Sequence, residues 1–163
     1  MIKKFIIFLI FILFLNNTSH AAATGSDNNN SSKSDYDQAV RLIKSAKKYE
    51  AKGKSEKAKK RYKRALRLLI TVNKNNPRQA DTLNYLGFTT RKLGDYKKGE
   101  KYYLQGLEIE PKHKGINEYL GELYVVTDRI GLAKERLDVL KNCECEEYFE
   151  LKEIIDGTKK SKY

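Results

Sequence analysis

The sequence has no tryptophan, one methionine, and only two residues each of histidine, cysteine and proline. The histidine shortage is the most restrictive. His20 lies in an N-terminal stretch expected to be removed, leaving His113 alone in a solvent-exposed loop between Lys112 and Lys114. With that histidine read as a solvated loop residue, the Ser and Asp residues lack a histidine base to form a hydrolytic triad. No glycine-rich phosphate loop follows a strand, because no segment reads as a strand. Long apolar runs are missing too. The longest, FIIFLIFILFL at residues 5–15, has eleven residues, whereas a spanning helix needs about 20. The chain is therefore expected to be no enzyme and to carry no cofactor and no metal.

That short apolar run has a context. Lys3 and Lys4 precede it, and NNTSHAAATG follows with small residues at Ala21 and Ala23. Charge, short apolar core and small-residue site are the three parts of a secretory signal peptide, here residues 1–23 with cleavage after Ala23. Ala21 is the other candidate site, and a short uncleaved anchor is the alternative. No cysteine stands nearby, so a lipoprotein is excluded. The mature protein is expected in the periplasm or secreted. Residues 24–35, beginning TGSDNNNSSKS, are too polar to bury anything and read as a disordered linker.

Charge is plentiful but uneven. The formal net charge is +12. Residues 33–78 hold sixteen basic and four acidic side chains, whereas residues 79–163 hold fifteen basic and sixteen acidic. The folded molecule is expected to be basic at one end and acidic at the other.

Sliding the chain against itself exposes a repeat. A shift of 34 places Leu86-Gly87 on Leu120-Gly121, Gly99 on Ala133 and Tyr103 on Leu137. A shift of 41 in the other direction places Gly87 on Ala46, Gly94 on Gly53, Tyr103 on Tyr62 and Gly106 on Ala65. Small residues fall on small ones and large apolar residues on large ones. Each unit reads as a pair of amphipathic helices, with Gly87, Gly99 and Gly106 where a neighbouring helix approaches closely. Gly94 with Asp95 makes a turn, and Asp128 takes the turn position in the next unit. The units span about 39–79, 80–113 and 114–147. Tyr148, Leu151, Ile154 and Ile155 then recur at helical spacing, predicting a capping helix over 146–156 and a loose tail over 157–163.

The middle unit resembles the tetratricopeptide repeat family, whose pattern is W-x2-L-G-x2-Y, then A-x3-F, then a closing P. Leu86 and Gly87 match the L-G pair, Tyr103 stands for the F and Pro111 for the P. Leu83 replaces the Trp, Gly99 the Ala and Thr90 the Tyr. In the first unit Pro77 arrives seven residues late, about two helical turns, so its second helix is expected to lengthen without rotating its apolar face. The resemblance implies an all-α right-handed superhelix of three helix-turn-helix repeats plus the capping helix, over 36–156. It also implies a non-catalytic scaffold that binds a protein or peptide partner in a concave groove.

Carrying the family's register across, Ile43, Lys47, Asn84, Phe88, Arg91, Glu118, Glu122 and Val125 should face that groove. Lys47 and Asn84 could serve a clamp for a terminal carboxylate, but Glu118 and Glu122 stand where such a clamp wants positive charge. A segment of mixed charge fits better. A second surface is the basic face of Lys57, Lys59, Lys60, Arg61, Lys63 and Arg64, which could hold an anionic envelope polymer. Nucleic acid is disfavoured, because Tyr49 and Tyr62 fall on core positions of the repeat rather than on a stacking surface. The third feature is Cys143 with Cys145. They could be a labile disulfide in a redox accessory protein, a local staple or plain thiols, or two ligands of an incomplete metal site. Glu144, Glu146 and Glu147 beside them disfavour the thiolate.

Overall fold

Three sharp reversals set the architecture. Gly53, Gly94 and Asp128 adopt φ of 66°, 96° and 59°, a region that Gly enters without penalty and Asp more readily than most residues. Each reversal joins two helices. The computed structural model describes residues 25–161, with side chains from residue 31 onward. Those residues form α1 (Gly25–Glu50), α2 (Ser55–Asn75), α3 (Ala80–Lys92), α4 (Tyr96–Ile109), α5 (Lys114–Val126), α6 (Ile130–Leu140) and α7 (Glu146–Ile155). No strand occurs among the described residues. The helices pair as α1·α2, α3·α4 and α5·α6, and each hairpin packs on the next. The 21 residues of α2 against the 14 of α4 are the added turns that the late Pro77 foretells.

Packing follows the repeat register. Ala39, Ile43, Ala46, Ala58, Tyr62, Ala65 and Leu69 fill the first core together with Leu83, Leu86 and Phe88 of α3. Tyr103, Ile116, Leu120, Leu123 and Ala133 fill the second. The small residues let helices close up. A Cβ on Gly87 would stand 2.5 Å from the ring of Tyr103, and one on Gly121 would stand 2.5 Å from Leu151 of α7. No carbon fits at that separation, so Gly87 admits α4 and Gly121 admits the capping helix. Leu151 and Ile154 are buried by this contact.

Two expectations are corrected. Helix α1 begins at Gly25, inside the stretch expected as a linker. Ser32 is buried there and accepts a 3.0 Å hydrogen bond from Asn76 at the end of α2, while Tyr36 packs edge-on against Tyr85. The long α2 supplies the surface that orders this turn of α1. His113 is not an idle loop residue either. Its Nδ1 accepts from the Ile116 amide at 3.2 Å, capping α5, and its Nε2 lies 3.1 Å from Asp81 of α3. The cap satisfies one of the amides that a helix start leaves without an intrahelical partner. The signal-peptide expectation, residues 1–23, falls outside the described residues.

Candidate functional site

The first helix of each hairpin and the capping helix together line one face. From α1 comes Lys47, from α3 Phe88 and Arg91, from α5 Glu118, Tyr119 and Glu122, and from α7 Glu146, Glu147 and Glu150. Aromatic contacts build its middle. The ring of Phe88 is tilted against Tyr119 at 5.1 Å and meets Tyr62 edge-on at 5.9 Å. Lys47 Nζ lies 4.6 Å above the centre of Phe88 and donates to the Tyr119 hydroxyl at 3.2 Å. A cation over an aromatic face is attracted by the ring's negative centre.

Beneath Tyr119 lies a buried ion pair. Arg91, only 1% exposed, donates to the Tyr119 carbonyl at 2.5 Å and to Glu122 Oε2 at 3.2 Å. The guanidinium also lies over the rings of Tyr119 and Tyr103. Glu118, Glu122 and Glu150 each bring a carboxylate oxygen within 4.8 Å of the others. Burial chiefly, then the charges of Glu122, Glu150 and Glu147, hold the Glu118 carboxyl up at about 8, with Lys47 opposing. Glu118 is therefore mostly protonated at neutral pH, which relieves the crowding of charge. Lys47, Glu118, Tyr119, Glu146, Glu147 and Glu150 enclose a cleft of about 230 Å³.

The expected groove residues divide in two. Lys47, Phe88, Arg91, Glu118 and Glu122 are brought together in one network. Ile43, 2% exposed, belongs to the first core. Asn84 is buried with its amide nitrogen against Gly115, and Val125 packs on the second core. Ile43 and Asn84 are thus buried, Val125 is half-buried, and Phe88 and Arg91 are covered rather than open. The cause is Tyr119, whose ring packs against both. Tyr119 and Glu150 were absent from the expected set. Tyr119 aligns with Tyr85 in the repeat, where a large residue marks packing, and α7 reads only as a cap. The acidity of residues 144–156 was the available clue to its second role.

The other two features are placed as follows. Lys57, Lys59, Lys60, Lys63 and Arg64 are exposed along α2, and Arg61 is half-buried. Lys57 and Arg61 lie over the ring of Tyr49. Tyr62 points inward, donating to Glu50 at 2.9 Å, so it offers no stacking surface. Cys143 and Cys145 are joined as a disulfide with Cα atoms 5.1 Å apart, and Glu144 between them takes φ 48°.

Residues 80–113 match the family model of the tetratricopeptide repeat. A 50-residue stretch is 44% identical to part of the Sol locus transcriptional repressor of Clostridium acetobutylicum, covering 31% of this chain and 16% of that protein. The chain thus spans about a sixth of the length of the curated relative it matches. Residues 80–113, the hairpin of α3 and α4, are thus a tetratricopeptide repeat, and helical hairpins pack on either side of it.

Proposed function

We propose that the protein is a non-catalytic scaffold that holds a partner polypeptide against its concave face, in the periplasm or outside the cell. The observation that carries this reading is the continuous polar rim. Lys47 at one side and Glu146, Glu147 and Glu150 at the other flank a cleft floored by Tyr119 and Glu118. Such a rim offers hydrogen bonds and charge of both signs around an aromatic centre, the recurring anatomy of a polypeptide-binding surface. The repressor's role is not carried over, because the shared stretch is a small part of that protein. Among the described residues no helix is long and apolar enough to cross a membrane.

The test is site-specific photocrosslinking in intact cells, with the reactive residue at Lys47, at Glu146 or at exposed Lys101 of α4. The same adduct from Lys47 and Glu146, and none from Lys101, is expected. Adducts formed equally from Lys101 would refute the concave-face reading. Fractionation, with the mature N-terminus read by mass spectrometry, checks export and cleavage after Ala23.

A second reading is favoured by the basic face. Lys57, Lys59, Lys60 and Lys63 line one shallow cleft together with the single acid Glu56. That arrangement suits an anionic envelope polymer. The redox reading through Cys143 and Cys145 is the weaker, because Glu144, Glu146 and Glu147 oppose thiolate formation.

A further inference from the structure

Residues 157–161 return to the same face. Helix α7 stops in a Schellman turn, in which Gly157 N–H donates to Ile154 O at 3.3 Å and Thr158 N–H to Glu153 O at 3.0 Å. Gly157 takes φ 73°, open to glycine without strain. The turn sends the chain back across α7. Lys159 Nζ reaches 2.7 Å from Glu150 and 3.6 Å from Glu153, and Ser161 Oγ donates to Glu122 Oε2 of α5 at 3.4 Å. A short basic stretch therefore bridges α7 to α5 over the carboxylates.

We propose that residues 159–161 are an internal occupant of this acidic wall, and that the partner segment which replaces them is a lysine-bearing polypeptide. The proposal rests on the concave-face reading above. Charge complementarity selects the occupant. Glu118, Glu122 and Glu150 crowd within 4.8 Å, and Glu146 and Glu147 line the adjoining cleft. Arg91 answers Glu122 and Lys159 answers Glu150, while among the described residues no ion pair reaches Glu118. An incoming lysine can take the position of Lys159 beside Glu150, and a cation there would favour ionisation of the neighbouring Glu118. An acidic segment would meet like charge at Glu146, Glu147 and Glu150, with Lys47 the one cation in the cleft lining. The tail is tethered, so it competes at an effective concentration in the millimolar range and raises the threshold for any free ligand.

The experiment uses the mature chain, a version ending at Thr158, and the variant Lys159→Glu. The probe is a fluorescein-labelled peptide of the chain's own last seven residues, GTKKSKY, with GTEESEY as control, read by fluorescence polarisation. The shortened chain and Lys159→Glu should bind the probe about tenfold or more tightly than the parent. That binding should weaken with salt and be lost in a Glu118→Gln/Glu150→Gln background. Equal affinity for parent and shortened chain would overturn internal occupancy. Failure of the probe to bind the shortened chain, or binding of the control as tight as the probe, would overturn the basic-segment assignment. If circular dichroism shows the shortened chain to be unfolded, Lys159→Glu alone decides. Crosslinking from Lys47 reports independently. Adducts that persist without probe binding defeat only this inference, whereas probe binding without adducts defeats the broader reading.

Discussion

The two ends of the molecule treat charge in opposite ways. Along α2 the cations Lys57, Lys59, Lys60, Lys63 and Arg64 are exposed, and only Lys57 and the half-buried Arg61 touch a packed ring, that of Tyr49. At α5, Arg91, Glu118 and Glu122 are buried, and Arg91 is paired with Glu122 and lies over aromatic rings. An exposed charge costs little to hold and is screened by salt within about 10 Å. A buried one must be paired, or its desolvation destabilises the fold. The exposed lysines of α2 can thus change with little consequence for folding, while Arg91, Glu118 and Glu122 are bound into it.

The sharpest way to break this comparison is Arg91→Met. Losing the guanidinium strands Glu122 in the interior, and about 3–5 kcal/mol of stability should go, measured by urea unfolding. A loss under about 1 kcal/mol would mean that the acidic end tolerates lone charge as the basic end does. Next is Gly87→Leu, where the side chain must displace Tyr103. Overpacking of this kind costs roughly 1–3 kcal/mol or more, and a melting temperature several degrees lower is expected. A variant that melts with the parent would show that the hairpins do not need this close approach.

How much of this could be read beforehand differs between the hairpins and the face. Gly53, Gly94 and Asp128 fall on equivalent turn positions because a reversal needs a particular backbone conformation, and few residue types supply it. The longer α2 follows from the position of Pro77 for a similar reason. Such constraints act on a residue and its near neighbours, so they leave a mark in the order of amino acids. Burial of Phe88 and Arg91 leaves no such mark. It arises because Tyr119, from another hairpin, folds over them. A register assigns a residue to a side of a helix; it does not report what later lands there. The same applies to Ser161, whose partner Glu122 lies 39 residues away.

A subtler contrast is pH dependence. Glu118 holds its proton to about 8 in the fold, against an ordinary value near 4.5 for the unfolded chain. Between those values the folded state binds more protons than the unfolded one, so stability falls as pH rises. The contribution is full below about 4.5 and lost as pH passes 8. The groups facing Glu118 are Lys47 of α1, Glu122 of α5, and Glu147 and Glu150 of α7. Glu118→Gln should flatten the decline in melting temperature between pH 5 and pH 8. An unchanged slope would assign that decline to other groups.

The smallest effect is expected at the opposite end. Reversing Lys59, Lys60 and Arg64 to Glu should change stability by no more than about 0.5 kcal/mol each. The same triple variant should lose any salt-sensitive binding to an anionic polymer such as polyglutamate, measured by ion-exchange retention and by titration. A large fall in melting temperature would show that the basic face has a structural task after all.

Arg91 has one more implication. It is rooted in the second hairpin and grips both a main-chain carbonyl and a carboxylate of the third. The gap between those two hairpins is consequently gauged by one side chain of fixed reach, like a spacer bolted between two plates. A visiting polypeptide meets an aperture of set width and must suit it, because widening it would first require that bolt to be undone.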